Sequence, residues 1–201
     1  MKMKKAALIA GILGAVIIGS SITITQQNEY KLIRQFGKVD RVISSSGISF
    51  KIPFIESTQS LPKETLLYDL AASDVITKDK KTMISDSYVL WKISDPLKFA
   101  QTLNSSVESG ESRINTAVYN ATKNAISSMS QDQVITSRDG ELSDMVMEAI
   151  GTNMDQYGIE LLKFETKQLD LPDDNKEAVY ERMISERDNI AATYKAEGNS
   201  E

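Results

Sequence analysis

The sequence predicts an α+β chain behind a single N-terminal membrane-spanning helix. Three observations carry this expectation. Ala6 to Asn28 contain no formal charge and have an apolar heart from Ala6 to Gly19, and about 20 such residues cross a bilayer core as a helix. From Glu29 to about Ile93 apolar and polar residues alternate, the period of half-buried strands. After Asp95-Pro96 the period becomes helical, returning to alternation only between Ile159 and Leu169. The expected division is a basic start and anchor over 1–28, a β-rich part over 29–95, a mixed part over 96–171, and the start of a charged helix over 172–201.

Lys2, Lys4 and Lys5 precede the apolar run, and the first charges after it are Glu29 and Lys31. Basic flanks stay cytoplasmic, so the N-terminus is expected inside and everything after Asn28 outside the cytoplasm. A secretory signal has the same basic start, and Gly19 and Ser21 have the spacing of a cleavage site. The continuation through Ile22 and Ile24 favours an uncleaved anchor. Ala7, Gly11, Ala15 and Gly19 recur every four residues. Small residues at that spacing form a groove against which a second membrane helix packs, although they are also simply common in such helices.

Strand candidates follow in order. Tyr30 to Phe36 end at Gly37, a turn residue. Val39 to Ile43 come next, then the breaker Ser44-Ser45-Ser46-Gly47 and the alternating Ile48 to Ile52. Pro53 lacks the N–H a ladder needs and marks an edge or a break. Leu66 to Leu70 and Val75 to Thr77 lead into a turn, Lys78-Asp79-Lys80-Lys81, and then the densest strand, Thr82 to Ile93. That strand sets Met83, Val89, Trp91 and Ile93 on one face and Ile84, Tyr88 and Leu90 on the other, which predicts cover on both sides. Asp95 caps a helix with Pro96 at its first position. Ile114, Val118, Ala121, Ala125 and Met129 step along one helical face. Ser137 is the expected cap of the next helix, with Leu142, Met145, Val146, Ala149, Ile150 and Met154 inward and Gly158 ending it. In the last helix Val179, Met183, Ile184, Ile190 and Tyr194 form a narrow stripe among charges. Such a seam packs against a neighbouring helix of another chain, as in coiled coils, or lies on its own domain.

Composition excludes whole classes of chemistry. The chain has no Cys and no His, which removes thiol nucleophiles, Ser-His-Asp triads, and imidazole or thiolate metal sites. No disulfide supports the fold. Asp139-Gly140-Glu141 and Asp173-Asp174 lack the spacing of a calcium loop and suit helix starts, where acidic residues complement the dipole. No Gly-rich phosphate loop, Gly-x-Ser-x-Gly elbow or Ser-x-x-Lys motif is present. No catalytic, cofactor or metal site is expected. The net charge is −5, and the three N-terminal lysines leave −8 beyond residue 28. Such a surface repels nucleic acid.

Several stretches together resemble the SPFH (band 7) family, which includes stomatin, prohibitin, flotillin and the HflK/HflC pair. They are Gln35 to Val39, Gly47 to Glu56, Thr77 to Lys81, Asp86 to Pro96, and Gly158-Ile159-Glu160 through Asp170-Leu171-Pro172. The doubled lysine turn before Asp86-Ser87-Tyr88, and Val179 to Met183 with Glu186-Arg187, are most similar to the HflC branch. The resemblance spans essentially the whole chain. It implies an SPFH domain of small twisted sheet and packed helices, then the start of a long C-terminal helix beyond Pro172. It also implies a non-enzymatic scaffold in a bacterial inner membrane. Such a scaffold oligomerises with an HflK-like subunit and modulates the membrane AAA protease FtsH. A general membrane-domain organiser of the stomatin or flotillin kind is the alternative.

The resemblance adds a second expectation for Phe50 to Ile55. SPFH proteins lay their first subdomain against the bilayer, so Phe50, Ile52, Pro53 and Phe54 either enter the lipid interface, which accepts aromatic residues, or fill the small β core. Filling the core is the preferred expectation, since exposed apolar patches are uncommon.

Overall fold

The computed structural model describes residue 16, residues 19–137 and 140–170, and residues 181, 184, 185, 187–192, 194 and 195 of the C-terminal stretch. Although Ile22–Thr25 and Glu56–Pro62 are not strands expected from the sequence, the described residues hold eight strands and four fully bounded helices in the predicted order of strands, helices and a last strand. They are β1 Ile22–Thr25, β2 Glu29–Gln35, β3 Lys38–Ile43, β4 Gly47–Phe50, β5 Glu56–Pro62, β6 Leu66–Ile76 and β7 Thr82–Ile93, then α1 Pro96–Leu103, α2 Val107–Ser128, α3 Gln131–Thr136 and α4 Glu141–Ile150. A 3-10 turn, Asp155–Tyr157, leads into β8 Ile159–Asp170. The strands form a β1–β4 ribbon, a β3–β2–β5 sheet and a β6–β7–β8 sheet, all with antiparallel pairing.

β7 is the spine. Met83, Val89, Trp91 and Ile93 are buried, as their alternation predicts. They share one cluster with Phe99 of α1, Ile114 and Val118 of α2, Leu142 and Val146 of α4, and Phe164 of β8. Trp91 stacks on Phe99 with ring centroids 6.4 Å apart. Ile84, Tyr88 and Leu90 are only half-buried, so the expectation of full cover on both faces is corrected. Their face carries polar neighbours instead: Lys167 bridges Asp69 and Asp86, and Lys92 pairs with Glu160. A bulge at Leu90/Trp91 leaves Leu162 outside the pairing.

Two helix boundaries differ from expectation. Asp95 caps α1 as predicted, its carboxylate accepting from Leu97 and Lys98 N–H. Ser137 does not start the next helix: it closes the one before it, its N–H bonding Gln133 O and its hydroxyl donating to Val134 O. α4 starts instead after Gly140, at φ +118. Gly151 ends α4, and Gly158 closes the later 3-10 turn.

The predicted lysine turn joins β6 to β7 and is tied to α3 through Asp79. Thr77 Oγ1 donates to Asp79 at 2.6 Å and Gln131 N–H at 3.1 Å, and Lys81 Nζ lies 3.1 Å away. The Thr77 hydrogen bond foremost, with Lys81 and Gln131, lowers the carboxyl from 3.8 to about 2. A carboxyl depressed by folding stabilises above its unfolded value and loses that contribution as pH falls through its folded value. Protection of the Gln131 and Lys78 amides is therefore expected to drop between pH 4 and pH 2. Asp79→Asn is expected to remove that step and lower protection at neutral pH. Hydrogen exchange read by mass spectrometry checks both.

Candidate membrane-facing site

The strand pairing builds an unusual surface at one end of the molecule. β1 and β4 pair Ile22 with Phe50 and Ile24 with Ile48. Because side chains alternate across a strand, these four share one face. That face is exposed: Ile24 is 65% accessible and Phe50 68%, whereas Thr25 on the opposite face is 2%. The ribbon is thus apolar outside and polar inside, the reverse of a water-facing hairpin. Glu29 fixes the corner after β1 by accepting from Gln26 N–H and pairing with Lys31 at 2.9 Å. Lys31 chiefly, then Gln26, holds its carboxyl at about 2.

The loop between β4 and β5 continues the surface. Glu56 is buried and accepts from Ile52 N–H at 2.8 Å, while Glu56 N–H closes the turn onto Ile52 O. Arg41 Nη2 donates to Phe50 O at 2.6 Å and lies 3.4 Å from Glu56 Oε2. This polar frame props the turn outward. Phe54, at its tip, is 92% exposed with φ +67, a left-handed conformation that a bulky residue adopts only when its surroundings enforce it. Ile52 and Ile55 are exposed and Pro53 is half-buried. The preference for a core role at Phe50 to Ile55 is corrected: Phe50, Ile52 and Phe54 are exposed, and the small sheet buries Leu32, Ile33 and Leu61 instead.

Phe36 joins the same end. Gln35 pairs with Lys38 on one side and Glu56 on the other, so the Phe36-Gly37 turn lies beside Ile55. Both residues have positive φ, +50 and +83, as the twist of a two-residue hairpin requires. Phe36 is 86% exposed. The sequence reading takes Phe36 as a strand end and as part of a family motif, and misses its exposure at this surface.

It also assigned Ile22 and Ile24 to the membrane helix. The structure corrects this, since Ile22–Thr25 is a strand. The signal was present: Ile-Thr-Ile-Thr has a period of two, not of a helix. Of the small-residue stripe, Ala7, Gly11 and Ala15 lie outside the described residues. Gly19 is helical, and no side chain among the described residues comes within 4 Å of where its Cβ would stand. No helix among the described residues is long and apolar enough to cross a membrane. Val179 and Met183 also lie outside the described residues, whereas Ile190 and Tyr194 are helical and exposed.

A domain of this topology, carrying an outward apolar end next to its N-terminal apolar run, defines a class. Residues 23–200 match the SPFH domain / Band 7 family, and the chain belongs to it. Among curated relatives it is similar to "Protein HflC" of Haemophilus influenzae, 29% identical over 92% of this chain and 66% of the relative. It is similar to "Modulator of FtsH protease HflC" of Escherichia coli K12, 24% identical over 99% of this chain and 73% of the relative. It is also similar to the uncharacterized protein MJ0827 of Methanocaldococcus jannaschii, 30% identical over 95% of this chain and 93% of that protein. The chain spans about two-thirds of the length of the HflC relatives, 66% for the Haemophilus protein.

Proposed function

We propose that this chain is an HflC-like membrane-anchored scaffold that modulates an FtsH-type AAA protease. The observation that carries this reading is the apolar end formed by Ile22, Ile24, Phe36, Ile48, Phe50 and Phe54, which begins directly after the apolar N-terminal run. Patches of that kind mark interaction surfaces, and one beside a membrane anchor suits the lipid interface. Family membership and similarity to proteins named as modulators of FtsH support the rest.

In this reading the uncharged N-terminal run that starts at Ala6 anchors residues 1–28 in a bacterial inner membrane, with the N-terminus cytoplasmic and the SPFH domain outside. Phe50, Ile52, Pro53 and Phe54 enter the outer leaflet's interface. Ala7, Gly11, Ala15 and Gly19 pack against a neighbouring span. Val179, Met183, Ile190 and Tyr194 form a seam with the next subunit, an HflK-like chain or a second copy. The role is non-catalytic, consistent with a sequence lacking His and Cys.

Extraction of native membranes in mild detergent, with affinity capture of this chain, tests the partners. An HflK-like subunit and an FtsH-type protease are expected in one large particle. A large particle that repeatedly lacks both would replace this reading with a general membrane-domain organiser.

A further inference from the structure

A second feature of the same end is a cavity of about 330 Å³ between the β2–β3 hairpin and α1, lined by Arg34, Gly37, Lys38, Gln101 and Asn104 among others. Arg34 is partly buried, and its side chain makes a single hydrogen bond among the described residues, Nη2 to Ser105 Oγ at 2.7 Å. Its Nε is buried with no partner among the described residues. Neither Arg34 nor Lys38 pairs with a carboxylate among the described residues. The nearby Asp40 leans toward Arg41, 3.9 Å away. A guanidinium N–H buried without an acceptor is costly, and the planar donor fork matches a phosphate.

We propose that this cavity is an anion site that takes a phosphate group, with Arg34 and Lys38 as its cationic walls and the Gln101 and Asn104 amides as neutral donors. The bland alternative is that Arg34 only latches β2 to the α1–α2 loop. That role employs one of five N–H groups and leaves Lys38 and the cavity unexplained. The C-terminal end of α1 opposes an anion with about half an elementary charge, less than the two full positive charges facing it. Asn104 and Ser105 both have positive φ, +52 and +60, and this pair of left-handed residues turns Ser105 onto Arg34.

Phosphate reaches such a site from a phospholipid headgroup or from solution. The lipid source is favoured here, because the hairpin that contributes Gly37 and Lys38 carries the exposed Phe36 at its tip. This part rests on the membrane-facing reading above, whereas phosphate chemistry at Arg34 does not.

The test uses the full chain in nanodiscs of phosphatidylcholine with phosphatidylglycerol, followed by native mass spectrometry of lipid retained on release. A parallel calorimetric titration of the detergent-solubilised chain uses inorganic phosphate. Retention of phosphatidylglycerol over phosphatidylcholine is expected, falling about tenfold or more in Arg34→Gln, as loss of a charge-assisted hydrogen bond implies. Lys38→Glu, at an exposed hairpin position, keeps the fold and is expected to abolish the preference by itself. Saturable inorganic phosphate binding lost in the same variants, without lipid preference, supports the site with a soluble ligand. Lys38→Glu with unchanged retention and unchanged phosphate binding overturns the proposal, as does the absence of both in the wild-type chain. A failure of the membrane-facing reading shows differently, as a Phe54 region exposed to water in the same nanodiscs.

Discussion

Gly158→Ala is expected to lower stability by at least about 3 kcal/mol, more than typical single substitutions. Gly158 stands where three elements meet. Its carbonyl accepts from Ser94 and Asp95 N–H at 3.0 and 3.2 Å, between the end of β7 and the cap of α1. The next residue, Ile159, starts β8 opposite Ile93. Its φ is +70, and a Cβ there would stand 2.2 Å from Asp95 O and 3.0 Å from Phe99 N. The left-handed conformation alone costs an alanine about 1–2 kcal/mol. The overlap is with backbone, so no side chain can swing aside. Relief requires moving Asp95 away from the N-terminus it caps, and a lost cap costs about 1 kcal/mol more. For a chain of this size the melting midpoint should fall by roughly 6–12 °C. Thermal denaturation of the full chain in mild detergent measures this. A midpoint within about 2 °C of the parent would mean that the β7–α1 corner does not approach β8 as described.

Phe54 is expected to lie in lipid when the full chain is reconstituted. The chain has no Cys, so Phe54→Cys creates a unique position for a nitroxide label. In a bilayer this label should collide readily with dissolved oxygen and be shielded from a water-soluble nickel relaxant. A label on Lys78→Cys, at the exposed turn beyond β6, should show the reverse. Lys78 sits in the β6–β7 turn, on a different sheet from β4 and β5, with its N–H bonded to Met129 O at the end of α2. The expected contrast is large because each buried phenyl ring gains about 1.5–3 kcal/mol on leaving water, and Phe36 and Phe50 share the surface with Phe54. A Phe50→Glu change in the labelled chain should shift the Phe54 position toward water by roughly tenfold in relative accessibility. Equal accessibility of the two labelled positions to the nickel relaxant would remove the membrane role of this end.

The two experiments probe different consequences of one architecture. Buried Leu32 and Leu61 of the small sheet join the cluster around Trp91, and the Arg34–Ser105 hydrogen bond ties β2 to the helices. The apolar end is therefore carried on a braced support rather than on a free hairpin. Loss of the Gly158 corner disturbs the support, whereas changes at Phe54 disturb only what it presents.

Local pattern alone determined the α+β order, β7 from Thr82 to Ile93, the Asp95-Pro96 start of α1 and the inward face of α2. Each of these depends on residues a few positions apart: the period of a strand or helix, or a carboxylate reaching the next turn's N–H. The membership of the SPFH family was also legible, because its motifs are spread in order along the chain. Only tertiary structure decided the remainder. Ile22 and Ile24 continue an apolar run, and although Ile-Thr-Ile-Thr has a strand's period, it is their pairing with Phe50 and Ile48 that settles them as a strand. Phe50 and Phe54 look like core residues by sequence, yet the folded chain leaves both exposed and buries Leu32, Ile33 and Leu61 instead. Gly158 looks like a helix terminator, although its necessity comes from Asp95, sixty-three positions earlier in the chain. The juxtaposition of Arg34, Lys38 and Gln101 depends on the same distant packing. Period fixes which side chains share a face, but which face is covered is settled by what the rest of the chain lays against it.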